Sequence, residues 1–249
     1  MSSSARPREI GVIELDRRLG AFGTVRVFQR TSDGARLYCI GASIQTMAAQ
    51  DGVSLFGYVH AAKLLLSAAR DVLIIGGAGG SLATMLARRG KAVTVVDIDP
   101  VAEQFARDYF QLDSAVEWIT ADALDFIEAS QRRFDAVFID ACDERGLISP
   151  FADYATLRGV WKTVRKDGVM LLNLVGDRQP GWERELGARL AKLGVRATLF
   201  RPEDGWEGNE LMLISNLEQA HNLDVGDVTE RPAEVRTYLL SLRAANVDV

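Results

Sequence analysis

An apolar run, Val72-Leu73-Ile74-Ile75, passes without a break into Gly76-Gly77-Ala78-Gly79-Gly80-Ser81. Glycine lets a ligand approach the backbone closely, and the unpaired N–H groups at the start of a following helix attract negative or electron-rich atoms. A tight strand-to-helix turn that binds nothing would read the same way, so the weight falls on the acids downstream of the loop. About 20 residues on, the spacing at which an acid grips a ribose diol, a second apolar run ends in Val96-Asp97-Ile98-Asp99-Pro100. Asp97 is the better ribose candidate, because Asp99 stands immediately before Pro100, where a helix N-cap belongs. A third run closes with Thr120-Ala121-Asp122-Ala123. There Asp122 either accepts a hydrogen bond from an adenine amino group or caps the next helix.

The fourth run ends in Phe138-Ile139-Asp140-Ala141-Cys142-Asp143, which sets two acids three residues apart beyond a buried strand end. Facing the same cleft as the glycines, Asp140 and Asp143 would hold a cationic acceptor or take the proton of an attacking nucleophile. The alternative is a pair of ordinary loop acids, with Asp140 as a cap. Cys142 reads as a space-filling residue, since nothing near it in sequence lowers a thiol pKa. Tyr58 and His60, on the helix ahead of the glycine loop, belong to packing or to a pocket. Trp206, with Asp204 and Glu207, either rims an acceptor site or lies on a connecting loop.

These acids need a large α/β unit to bring them together, and the composition allows one. The chain has 249 residues, 48% of them hydrophobic and 25% charged, which excludes low-complexity and charge-swollen classes. Asp and Glu outnumber Lys and Arg by 34 to 29, for a net charge of −5, so no bulk attraction to nucleic acid or an anionic membrane is expected. Two histidines and two well-separated cysteines, Cys39 and Cys142, give no metal spacing and no disulfide framework. A reducing, cytoplasmic location and no bound metal are the expectation. No stretch approaches the roughly 20 apolar residues of a membrane span.

The elements follow from hydrophobic period. Residues 1–9 read as a flexible N-terminus. Residues 10–50 read as a small antiparallel β unit, with strands over Gly11 to Leu15, Thr24 to Arg30 and Arg36 to Ile40, and a turn at Ser32-Asp33-Gly34. Residues 51–216 read as the main domain. A helix over Leu55 to Ala69 is followed by strands at Val72 to Ile75, Ala92 to Asp97, Val116 to Thr120, Ala136 to Asp140, Val169 to Leu174, Val195 to Phe200 and Leu211 to Ser215. Helices at Leu82 to Arg89, Val101 to Phe110, Ala123 to Ser130, Phe151 to Arg165 and Trp182 to Leu193 alternate with them. Such alternation gives a mostly parallel sheet with helices on both faces and a ligand site at the carboxyl ends of the strands. Residues 217–249 read as a helical tail, with Val235 to Leu242 helical after Pro232.

On these residues the stretch from Val72 to about Asn173 resembles the class I S-adenosylmethionine-binding methyltransferase fold and, within it, the spermidine synthase family. The matching segments are the glycine loop, Val-Asp-Ile-Asp-Pro, Ala-Arg-Asp-Tyr-Phe at 106 to 110, Ala-Asp-Ala, Phe-Asp-Ala-Val-Phe-Ile-Asp-Ala and Lys-Asp-Gly-Val-Met at 166 to 170. The resemblance implies a Rossmann-like, seven-stranded, mostly parallel sheet preceded by an antiparallel β segment, and a homodimer formed through that segment. It implies that Gly76, Gly77, Gly79 and Gly80 face an adenosyl co-substrate, with Asp97 on the ribose, Asp122 on the adenine, and Ile98, Ala123 and Gln45 of Gly41-Ala42-Ser43-Ile44-Gln45 near the nucleoside. Asp140 becomes the acid–base residue, Asp143 assists amine binding, and Tyr58, His60 and Trp206 stand at the acceptor. The co-substrate is decarboxylated S-adenosylmethionine or S-adenosylmethionine itself.

The expected activity is therefore alkyl transfer, aminopropyl in the family-typical case, from a sulfonium donor to an amine or other small nucleophile. The loop carries no acid for the donor's amino group, and Ile74 stands where many methyltransferases place one. Methyl transfer from S-adenosylmethionine to a small molecule, and a nucleoside-binding scaffold without turnover, stay open as alternatives.

Overall fold

The computed structural model describes residues 11–143, 146–147, 151, 153–175, 181–203, 209–216, 223, 225–226 and 231–247, with backbone alone at Cys142, Asp143, Gly146 and Leu147. The N-terminal part is a four-stranded antiparallel meander of β1 (Val12–Gly20), β2 (Gly23–Arg30), β3 (Arg36–Ile40) and β4 (Ser43–Ala48), paired in chain order. Gly34, at φ +73°, takes the left-handed position that the turn between β2 and β3 demands. The fourth strand, absent from the sequence reading, carries Gln45 and Thr46 toward the main domain.

Among the described residues the main sheet has eight strands, ordered β14-β12-β13-β11-β8-β5-β6-β7. They are β5 (Asp71–Ile75), β6 (Ala92–Asp97), β7 (Glu117–Thr120), β8 (Phe134–Ile139), β11 (Val164–Leu174), β12 (Arg196–Pro202), β13 (Glu210–Ser215) and β14 (Leu242–Val247), while β9 (Cys142–Asp143) and β10 (Gly146–Leu147) form a separate hairpin. The run β11-β8-β5-β6-β7 is parallel, and β13, β12 and β14 join antiparallel. Strand order reverses between β5 and β8, so the tips of β5, β6 and β8 open the crevice in which such folds bind ligands.

Period-two alternation splits the apolar residues between two layers. Ile74, Phe138, Leu171 and Leu213 pack under α1 (Gly57–Leu65), α2 (Ser81–Ala87), α3 (Pro100–Tyr109) and α7 (Ala233–Ser241). Leu73, Ile75, Val137, Ile139 and Leu172 pack under α4 (Ala123–Ala129), α5 (Tyr154–Thr163) and α6 (Trp182–Ala191). A third cluster joins the meander to α3. Phe105 is fully buried, sits edge-on to Tyr38 at 6.2 Å and lies under the Arg18 guanidinium at 4.9 Å.

One expectation is corrected. The tail does not end as a helix: α7 stops at Ser241 and β14 adds an eighth strand, antiparallel to β12. Leu242-Arg-Ala-Ala-Asn-Val has no β-branched run, and its side chains lie mostly in solvent, so no alternation announces the strand. Pairing with the open edge of β12 overrides local propensity. No described helix is long and apolar enough to cross a membrane.

Because Phe105 closes the seam between meander and main domain, Phe105→Ala is expected to lower stability by about 3–5 kcal/mol. Urea denaturation followed separately at the meander and at the main sheet should show one shared, shifted transition. Loss of stability in only one of the two would show that the seam does not couple them.

Candidate active site

A cavity of about 840 Å³ opens at the tips of β5, β6 and β8, within the range of small-molecule sites. Its floor is the glycine loop. Gly76, at φ +88°, has no room for a side chain: an added Cβ would lie 2.7 Å from the Asp140 carbonyl oxygen. That contact, with the Asp140 N–H donating to the Ile75 carbonyl at 2.8 Å, fixes the tip of β8 against the tip of β5.

Every N–H of the loop is already engaged inside the protein. Gly76 donates to Val96 O, Gly77 and Ala78 donate to Asp97 Oδ2 at 2.7 and 3.3 Å, Gly79 donates to Thr46 Oγ1 at 3.0 Å, and Gly80 donates to Gly77 O. Asp97 Oδ1 accepts from the Asp99 N–H at 2.8 Å. Desolvation raises the Asp97 pKa, the three backbone donors oppose this, and the nearby Asp99 carboxylate adds to the rise. Asp97 thus braces the loop while lining the cavity.

Asp99 is the N-cap of α3, accepting from the Val101 N–H ahead of Pro100 at the first turn, as its position before proline implies. Asp122 also caps: its Oδ1 accepts from the Leu124 N–H at 2.7 Å. It nevertheless stands at the cavity wall beside Ala123, so the two roles left open for it are compatible. Ile98 and Gln45 line the same wall, and Gln45 donates to Ser43 Oγ.

Across the cavity, Asp140 accepts from the Asn173 amide at Oδ1, 2.5 Å, and from the Tyr58 hydroxyl at Oδ2, 3.4 Å. Desolvation pushes its pKa up to about 7, against the pull of these two donors. A carboxyl raised toward neutrality by burial in a cleft can exist in either protonation state near pH 7. Asn173 Oδ1 in turn accepts from the Asn209 amide at 2.9 Å, and Asn209 O accepts from the Tyr238 hydroxyl.

Among the sequence candidates, Gln45, Tyr58, Gly76, Gly77, Gly80, Asp97, Ile98, Asp122, Ala123 and Asp140 share this one cavity. Gly79 and His60 do not line it. An added Cβ at Gly79 would meet Thr46 and Phe110, so the residue serves the approach of β4 to the loop. His60 is buried among core residues with Nε2 on the Ser54 carbonyl at 2.8 Å, and burial lowers its pKa. Its ring is packed in the core, away from the cavity wall. The side chain of Asp143 and all of Trp206 lie outside the described residues. Asn173, Asn209 and Tyr238 belong to no motif that the sequence displays. A lone amide inside Met170-Leu171-Leu172-Asn173-Leu174 is the one available signal, since a buried polar group in an apolar strand requires partners.

The fold is that of class I methyltransferase-like proteins: a human methyltransferase-like protein 13 structure in complex with SAH superposes with a TM-score of 0.54 at 23% identity, over 75% of this chain and 90% of that one. Within that fold, residues 58–179 match the Spermine/spermidine synthase domain model. A probable spermidine synthase from Corynebacterium glutamicum superposes with a TM-score of 0.74 at 16% identity, covering 93% of this chain and 90% of that one. Among curated relatives, a polyamine aminopropyltransferase of Sulfurisphaera tokodaii is 35% identical over 34% of this chain and 31% of its own length. An eEF1A lysine and N-terminal methyltransferase homolog of Drosophila melanogaster is 32% identical over 60% of this chain and 24% of its own length. The chain thus spans about a quarter of the first curated relatives it matches.

The Asp140 environment has a measurable signature. Between the ordinary carboxyl value of 3.8 and about 7, the folded chain holds a proton at Asp140 that the unfolded chain has released. Asp140 therefore makes the fold lose stability as pH rises through that window. Asp140→Asn should be more stable than the parent at pH 8, with the gap closing toward pH 4. Thermal unfolding of both at several pH values checks this, and a gap that does not change with pH would contradict it.

Proposed function

We propose that the chain is a transferase that moves an alkyl group from an adenosyl sulfonium co-substrate to an amine, with Asp140 as the base. The observation that carries this reading is the Asp140 carboxyl, held by Asn173 and Tyr58 and raised to about 7, across one cavity from Asp97 and Asp122. The family domain over residues 58–179 supports it.

In this reading Asp97 turns its remaining acceptor capacity to the ribose hydroxyls, and Asp122 reads the adenine edge. The amine attacks the carbon attached to the positive sulfur, a C–N bond forms as the C–S bond breaks, and the electron pair leaves on a neutral thioether. Asp140 takes the amine's proton. An aliphatic ammonium near pKa 10 keeps its proton at neutral pH, so a positioned base contributes on the order of 10²–10⁴-fold. The cavity contributes the in-line geometry.

Aminopropyl transfer from decarboxylated S-adenosylmethionine is the preferred version. A donor that keeps its carboxylate needs N–H groups to meet it, and since the five loop amides from Gly76 to Gly80 are spent on protein acceptors it would have to rely on the first-turn amides of α2. Methyl transfer from S-adenosylmethionine is the second reading, favoured by the curated methyltransferase homologues and by the absence of an acid in the loop. The same proposal includes a dimer through β1, a sheet edge on which Val12, Ile13 and Leu19 are exposed.

Calorimetry with S-adenosylmethionine, its decarboxylated form and methylthioadenosine is expected to give micromolar binding of methylthioadenosine and tighter binding of the decarboxylated donor than of the carboxylated one. The reverse preference would move the assignment to methyl transfer. No binding of any of the three would end both readings. Asp97→Ala should weaken nucleoside binding by more than about tenfold, as expected from losing a charge-assisted contact of roughly 1.5–3 kcal/mol. Asp140→Asn should keep nucleoside affinity while lowering turnover of a diamine or amine by at least about 10². Parallel loss of affinity and turnover in that variant would show Asp140 to be a structural residue.

A further inference from the structure

Tyr238, on α7, lies outside the stretch matched by the domain model, yet it touches the neighbour of each support of Asp140: Asn209, which bonds Asn173, and Gly57, which precedes Tyr58. Its hydroxyl donates to the Asn209 carbonyl. Its ring lies so close to α1 that a Cβ added at Gly57 would come within 2.4 Å of Tyr238 Cβ and Cγ. Gly57 is the residue before Tyr58, whose hydroxyl donates to Asp140 Oδ2, and Asn209 is the donor to Asn173, whose amide donates to Asp140 Oδ1.

The direction of these bonds matters. A carboxamide offers two N–H donors on one side and an acceptor on the other. With Asn209 Nδ2 donating to its Oδ1, Asn173 must present Nδ2 to Asp140. Turned over, Asn173 would set its oxygen against the carboxylate, an arrangement that favours only the protonated acid. We propose that Tyr238 and Asn209 are positioning residues for Asp140: they lock the Asn173 amide with its donor toward the carboxyl and seat Tyr58 on the other side. The inference rests on the reading of Asp140 as the base for its functional meaning, and on the hydrogen-bond geometry alone for its physical content.

The groups that act on the charge of Asp140 among the described residues are Tyr58 from α1 and Asn173 from β11, together with desolvation. Asp97, on the tip of β6, lines the same cavity, and Glu210, on β13, acts on Tyr238. Burial and that glutamate raise the Tyr238 pKa, so its hydroxyl stays a donor at neutral pH.

The test is a carboxyl NMR titration of the full chain labelled with ¹³C at aspartate, the Asp140 signal being assigned by its absence in Asp140→Asn. Removing a donor to the charged form raises a carboxyl pKa. Asn209→Leu is expected to raise the Asp140 midpoint by about one unit and Tyr238→Phe by about half a unit. Because both act through the same amide, adding Tyr238→Phe to Asn209→Leu should shift the midpoint no further. Where turnover is measurable, the acidic limb of kcat against pH should move by the same amount with KM for the donor unchanged. Tyr238→Phe removes one oxygen and keeps the packed ring, so it decides the matter even if Asn209→Leu does not fold. A midpoint in Tyr238→Phe within about 0.2 units of the parent, or additive shifts in the double variant, would overturn the proposal. A parent chain without turnover would defeat the transferase reading and leave the titration to judge the positioning role.

Discussion

A backbone that turns sharply at the end of a buried parallel strand must find partners for its N–H groups, and here a single carboxylate supplies two of them. Asp97 Oδ2 accepts from Gly77 and Ala78, and Oδ1 accepts from Asp99. The loop after β5 is thereby tied to the tip of β6, and Gly76 packs against the backbone of Asp140 at the tip of β8. Three neighbouring strand ends become one rigid rim. Their side chains share a cavity because of this constraint, and the layers of Leu, Ile, Val and Phe beneath keep the strands in register.

The two carboxyls of the rim solve the problem of desolvation differently. Burial raises the pKa of both. Asp97 is answered by three backbone N–H groups that also build the loop, so its charge is structural before it is a ligand contact. Asp140 is answered by two side-chain donors, one of them at 3.4 Å. A carboxyl held by side chains can change protonation without unravelling a turn, whereas the charge of Asp97 is tied to the loop it braces.

Much of this is legible in the sequence, for identifiable reasons. Parallel strands buried on both faces leave continuous apolar runs, and those of β5, β6 and β8 end in glycine or an acid, so these strands and their tip residues can be read directly, while the half-exposed edge strand β7 is marked by its place before Asp122. Asp99 before Pro100 announces a cap. What the sequence leaves unread depends on long-range contacts. The burial of His60 against the Ser54 carbonyl is set by packing across α1. β14 exists because β12 offers an open edge, and its own residues carry no strand signal. Asn173, Asn209 and Tyr238 meet from three separate parts of the chain, and no local pattern links them.

The hydrogen bond from Gly79 to Thr46 reaches across what looks like a domain border. Thr46 belongs to the meander, and the amide it satisfies belongs to the glycine loop of the other unit. The two parts thus share a hydrogen bond at the cavity floor as well as the packed seam at α3. A Rossmann-like piece excised on its own would start life with an orphaned amide in its binding floor and a bare flank at α3. Any swap of this meander between relatives would have to carry a hydroxyl at that spot along with it.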